Sequence, residues 1–145
     1  MVSEIQAVVA QLGGKPVLGK YVRNDADLRS AIREGFPHAA VQNVMHAANL
    51  TLAELSATLG LSLRSLQRRR GEGRLARHES DRLYRVARIV ALAKHYLGDD
   101  QRATRWLKRP NRALGGATPF ASIDTEPGAR AVENLLGRVA FGGVS

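Results

Sequence analysis

Cysteine is missing from this chain, which excludes disulfides and thiolate chemistry. No apolar run approaches the roughly 20 residues that a helix needs to cross a bilayer. The first residues, MVSEIQAVVAQLGG, carry Glu4 early and no basic leader before their apolar positions, so they read poorly as a signal peptide. A cytoplasmic protein with no membrane partner is the expectation. Repeats and low-complexity segments are lacking, and no alternating run is long enough for a strand. The four histidines, at 38, 46, 78 and 95, include no HExxH pattern and no pair with close metal-ligand spacing. The short glycine runs LGG and GEG cannot form phosphate loops, and Asp99-Asp100 reads as a helix cap rather than a catalytic dyad. No enzyme, metal or cofactor is expected.

What is abundant is positive charge, and it is confined. The net charge of +9 in 145 residues arises wholly within residues 49–112, where 15 Lys and Arg face 6 Asp and Glu. Residues 1–48 carry +1 and residues 113–145 carry −1. A localised basic segment attracts phosphate backbones through Coulomb force and counterion release. The two ends need another explanation. At 44% apolar residues the chain can bury a core, and its length suits one domain or two small subdomains.

The apolar spacing predicts an all-α fold. SEIQAVVAQLGG reads as a helix from the Ser3 cap to the Gly13 stop, KPVLGKYVR as a loop, and NDADLRSAIREGFP as a helix capped by Asp25 or Asp27. In TLAELSATLGLSLRSLQRRRGEG, Thr51 and Glu54 form a capping-box pattern. Gly60 supplies the positive φ of a tight turn, and Ser62 caps a second helix. Leu52, Leu55, Leu59, Leu63 and Leu66 fix the two helices to the core, with small Ser56 at their close approach and Leu61 under the turn. This is the helix-turn-helix plan. A run of arginines by itself is a solvated face. Here it falls on the second helix, after the right turn. Ser62, Arg64, Ser65, Gln67 and Arg68 then face outward, where Arg suits guanine, Gln suits adenine, and Ser suits phosphate or base. Arg69, Arg70 and Arg74 are expected on the DNA backbone.

The longest helix is expected from a Ser80 cap to a Gly98 stop. Leu83, Val86, Ala87 and Val90 form one apolar stripe, and Ile89, Leu92 and Tyr96 form a second, displaced around the axis. A helix apolar on two sides is covered on two sides, so the second stripe is expected to meet another copy in a homodimer. After DQRATRWLKR, stopped by Pro110, comes a Gly/Pro-rich loop, then a helix opened by Pro127, then a flexible FGGVS tail. Trp106 fits either an interface or its own core. Phe120 and Ile123 need cover from a partner or from their own domain. Phe141 can enter a partner's pocket on the bendable tail or tuck against the last helix.

The run from Thr51 to Ile89 resembles the Xre-type antitoxins that pair with RES-domain toxins. Trp106-Leu107, Pro110-Asn111, Leu114-Gly115-Gly116, Thr118-Pro119 and Gly128 fall in the order and spacing of the antitoxin Xre/MbcA/ParS-like toxin-binding domain. The resemblance covers about residues 51–142, and Gly13–Pro37 fits a looser N-terminal region; between Arg23 and Met45 no functional residue is carried over. It implies an antitoxin that covers the active-site cleft of an NAD-depleting RES toxin, its last residues approaching that site. It also implies dimerisation and repression of its own promoter. The expected division is an N-terminal helical region (1–48), a helix-turn-helix region (49–79), and a toxin-binding and dimerisation domain (80–145). Toxin contact is expected from Trp106, Asn111, Phe120, Phe141, Gly142, Gly143, Val144 and Ser145. The competing class is a transcription regulator with no toxin partner, whose C-terminal domain serves dimerisation or ligand sensing.

Overall fold

Capped helices packed around one long central helix organise the chain. The computed structural model describes residues 3–142. Among them the elements are α1 (Glu4–Leu12), α2 (Gly14–Leu18), α3 (Asp25–Glu34), α4 (Ala39–Ala48), α5 (Leu52–Leu59), α6 (Leu63–Glu72), α7 (Arg77–Leu97), α8 (Asp100–Leu107), a 3-10 turn (Arg112–Leu114), α9 (Pro119–Ser122) and α10 (Glu126–Gly142). No strand occurs among the described residues, and no helix there is long and apolar enough to cross a membrane. The all-α expectation holds.

Polar side chains start the helices, as the sequence suggests. Ser3 and Gln6 exchange side-chain and backbone bonds at α1, and Thr51 and Glu54 do the same at α5. Each exchange satisfies two N–H groups that the helix start leaves without partners. Three boundaries differ from expectation. Asn24, not an aspartate, caps α3 by accepting from the Asp27 N–H at 2.8 Å. The segment after Gly13 is not all loop: α2 forms there because Leu18 is buried, and Gly19 closes it with φ 76°. Helix α7 begins at Arg77, before Ser80. The Glu79 carboxylate accepts the Ala76 N–H at 2.6 Å and supplies the start that Ser80 was expected to give.

Ser80 is instead fully buried. Its hydroxyl accepts the Phe36 N–H at 2.8 Å and donates to the Ala76 carbonyl at 2.9 Å. This joins α7 to the corner where α3 and α6 end. There the Leu75 N–H donates to the Phe36 carbonyl at 2.9 Å and the His38 N–H to the Gly73 carbonyl at 3.0 Å. Gly35 turns this corner at φ 90°, and a Cβ on it would lie 2.1 Å from the Leu75 carbonyl oxygen. Only glycine fits such a backbone angle and approach.

Helix α7 is the axis. It packs on α1, α3, α4, α5, α8 and α10. Leu83, Val86, Ala87, Ile89, Val90 and Ala93 are all essentially inaccessible. The first apolar stripe of α7 is therefore covered, and so is Ile89 of the second, by this chain itself. The expectation that Ile89 meets a second copy is corrected: helices on both sides of α7 in the chain, α1 and α10 among them, pack around it. Leu92 and Tyr96 remain half-buried at the edge of that packing.

Candidate functional site

The α5-turn-α6 unit is built as the leucine pattern requires, with one exception. Leu55, Leu59 and Leu66 are buried and Leu61 is half-buried under the turn, but Leu63 is 43% exposed. Leu63 is the first residue of α6, beyond the reach of the core that holds Leu66. Gly60 adopts φ 68°, and the Leu61 N–H donates to the Ser56 carbonyl at 3.0 Å, closing the turn. The Thr51 backbone N–H, with Lys108 nearby, holds the Glu54 carboxyl below its ordinary range despite some burial. Lys108 also donates to the Asn49 carbonyl at 2.7 Å, tying α8 to the α4–α5 turn. The Arg82 guanidinium donates to the Leu59 carbonyl at 3.0 Å, so α7 grips the end of α5. Neither tie is visible in sequence, because each partner is far along the chain.

On α6, Arg64, Gln67, Arg68 and Arg70 are exposed, and Ser65 is half-buried. Positions 64, 67 and 68 share one helix face. Arg64 and Arg68 are like charges four residues apart, and neither has an ion-pair partner among the described residues. Such a pair destabilises an isolated helix by about 0.2–0.5 kcal/mol, so the face is arranged for something other than its own stability. Ser62 is exposed, but its hydroxyl is engaged: it accepts the Ser65 N–H at 3.0 Å and donates to the Ser65 hydroxyl at 2.9 Å.

Two arginines expected on DNA are bonded to groups of the protein itself. Arg69 Nε donates to the Glu79 carboxylate at 2.8 Å, and its guanidinium also pairs with Glu72. Glu79 is 2% exposed, so Arg69 compensates a buried charge and locks α6 to α7. Arg74 donates to the Gly35 carbonyl at 2.8 Å within the α3–α6 corner. Both are positioning residues for α6.

The C-terminal region is joined to α7 by ion pairs. Glu126 accepts from Arg85 at 3.1 Å and from Arg88 at 3.0 Å. Arg88 Nε also lies 2.8 Å from a Glu133 oxygen, a charge contact in which the N–H is not aimed along the line. Partial burial works against ionisation of Glu126, but Arg88 and then Arg85 outweigh it and hold its carboxyl below the ordinary range. Thr125 caps α10 by accepting the Gly128 N–H at 3.1 Å. A Cβ on Gly128 would lie 1.7 Å from the Ser122 carbonyl oxygen, so α10 and α9 meet where only glycine fits.

The expected partner contacts divide. Phe120 is 5% exposed and belongs to the core beside Ile123, because α9 folds the loop back onto its own domain; its assignment to a toxin surface is corrected. Asn111 organises the loop: its side chain accepts the Ala113 N–H at 3.0 Å and its carbonyl accepts the Gly116 N–H at 3.0 Å. Trp106 packs half-buried on the core beside a cleft shared with Arg109, Asn111 and Arg112. Its buried indole N–H has no hydrogen-bond partner among the described residues. Phe141 is not on a tail but within α10, 86% exposed, its ring 6.2 Å from that of Tyr96. It borders a groove with Leu92, Tyr96 and Arg138. Gly142 ends α10; Gly143, Val144 and Ser145 lie outside the described residues.

Comparison with known proteins matches both regions. Residues 27–88 match the antitoxin Xre-like helix-turn-helix domain, and residues 92–142 match the antitoxin Xre/MbcA/ParS C-terminal toxin-binding domain. Three curated relatives are each named antitoxin Xre. The one from Photorhabdus laumondii is 36% identical over 120 residues, 81% of each chain. That from Yersinia enterocolitica is 33% identical over 117 residues, 79% of each chain. That from Pseudomonas putida is 32% identical over 120 residues, 82% of this chain and 74% of the relative.

Proposed function

The chain belongs to the Xre antitoxin family, and from that membership we propose that it neutralises a RES-domain, NAD-depleting toxin in the cytoplasm and represses its own operon. Inhibition is by direct cover of the toxin's active site; the chain performs no chemistry. The observation that carries this reading is an unpaired basic face on α6 in the same chain as a region that matches the toxin-binding domain.

Each part has a role in the proposal. Arg64, Gln67 and Arg68 read base edges in the major groove, while Ser62, Ser65 and Arg70 meet phosphates. Phe141 and residues 142–145 enter the toxin cleft, and Trp106 and Asn111 make further contact with the toxin. An exposed aromatic at a helix end gives apolar area at small entropic cost, which suits an interface. Leu92 and Tyr96 contribute to contact with a second copy. The test is co-expression with the product of the neighbouring reading frame. The chain restores growth and cellular NAD; a frame whose toxicity this chain leaves unrelieved would overturn the reading. Deleting residues 141–145 tests the narrower role of the C-terminus, and full rescue by the truncated chain would remove it.

A further inference from the structure

Outside the α5-turn-α6 unit but within residues 27–88, a second basic surface lies next to the α3–α6 corner. Arg29 and Arg33 sit one turn apart on α3, and Arg77 and His78 open α7. They line a cleft of about 500 Å³ with Ile32 and Asp81. Three features mark this patch as unsatisfied within the chain. First, Arg29, Arg33 and Arg77 form no ion pair among the described residues, Arg29 donating only to the Asp25 carbonyl at 3.4 Å, whereas on α7 Arg85 pairs with Glu126 and Arg88 with Glu126 and Glu133. Second, three nearby carboxylates are committed elsewhere: Glu34 pairs with Lys20, Asp27 accepts the Arg23 N–H, and Glu79 serves Arg69. Asp81 is the one acid lining the cleft, against three arginines. Third, Arg77 and His78 occupy the first turn of a 21-residue helix, where the helix dipole favours anions and disfavours cations. An anion in the cleft relieves the arginine repulsion and meets the dipole.

The corner fixes where this patch lies. The segment after α3 and the segment after α6 are bonded through Phe36–Leu75 and His38–Gly73. The cleft therefore abuts the C-terminal end of α6. Eight helical steps of about 1.5 Å from Arg64 to the end of α6, and five further residues of at most about 3.5 Å each, put Arg77 no more than about 30 Å from Arg64, less than one turn of the duplex at about 34 Å. We propose that Arg29, Arg33, Arg77 and His78 form a phosphate-binding clamp that grips the DNA backbone flanking the groove occupied by α6. The clamp supplies affinity without sequence preference. It rests on the reading of α6 as a DNA-binding helix, and assigns a second, separate contact for it.

The experiment is equilibrium binding of the full chain to two duplexes, one from immediately upstream of its own reading frame and one of scrambled sequence. Each is titrated across about 50–200 mM salt. Removing one phosphate-binding charge lowers the slope of log affinity against log salt by about 0.9. Arg77→Gln is expected to lower it by about 0.9 and the Arg29→Gln/Arg33→Gln/Arg77→Gln variant by about 2–3, with the preference between duplexes unchanged. Matching melting curves confirm that the substitutions leave the fold intact. A triple variant with the wild-type slope, while Arg64→Gln abolishes duplex preference, overturns the clamp and leaves the α6 reading standing. Wild-type protein that binds neither duplex overturns both. A triple variant that binds DNA normally but no longer neutralises the toxin assigns the patch to an acidic protein surface and overturns the clamp.

Discussion

Two glycines in α10 predict opposite outcomes for the same substitution. Gly→Ala within a helix gains about 0.5–1 kcal/mol from backbone entropy. At Gly137 nothing lies within 4 Å of the added Cβ. Gly137→Ala is therefore stabilising by about 0.5–1 kcal/mol, or about 1.5–3 °C in melting temperature for a chain of this size. At Gly128 the new Cβ would lie 1.7 Å from the Ser122 carbonyl oxygen, 2.9 Å from its carbon and 3.1 Å from Thr125 Oγ1. The first two are backbone atoms, so no side-chain rotation relieves the clash. Overpacking of this kind costs about 1–3 kcal/mol and occasionally more. An overlap this deep lies at the upper end, so the net loss after the helix gain is about 2 kcal/mol, or about 6 °C. The assay is thermal unfolding of both variants against wild type. A Gly128→Ala protein that melts at or above the wild-type temperature refutes the close α9–α10 approach. A destabilised Gly137→Ala protein refutes the claim of open space there.

The remaining predictions concern the joints of α7 and the basic face. Ser80→Ala leaves the buried Phe36 N–H without its acceptor, costing about 1–3 kcal/mol in urea unfolding; a loss below about 0.5 kcal/mol would mean the N–H finds another partner. Glu126 has a lowered carboxyl pKa in the fold, so its contribution is full above the ordinary carboxylate range and fades as pH falls through the folded value. The stability advantage of wild type over Glu126→Gln is accordingly steady near neutrality and shrinks toward acid; an advantage that grows on acidification contradicts the Arg85–Arg88–Glu126 assignment. Arg64→Ala and Gln67→Ala each reduce discrimination between operator and scrambled DNA by roughly 5- to 100-fold. Arg70→Ala instead weakens binding to both duplexes alike.

The sequence revealed what depends on near neighbours. Thr51–Glu54, Gly60, Ser62 and the buried Leu55, Leu59 and Leu66 are all set within a turn or two of themselves, and each lies where the pattern puts it. Misreadings arose where a side chain's partner is distant. Ser80 resembles a cap, but its acceptor role is set by Phe36, 44 residues earlier. Arg69 resembles a phosphate ligand until Glu79, buried ten residues later, claims it. Ile89 lies on a second apolar stripe, and periodicity shows that such a stripe seeks cover without showing from what; Ile89 is buried within its own chain. Phe120 follows the same logic in a loop, since Gly and Pro signal a break in helix without showing that α9 folds inward. The basic cleft escaped the pattern altogether, because Arg29 and Arg77 lie 48 positions apart and meet only through the corner at Gly35.

The central claim is that this chain holds a toxin inactive by direct binding. The most direct measurement titrates the purified chain into the purified product of the neighbouring frame while NAD consumption is followed. The account predicts that consumption falls to zero at a stoichiometric ratio and that the two proteins co-elute as one complex. Undiminished consumption at excess of a folded chain, with the two proteins eluting apart, would contradict it.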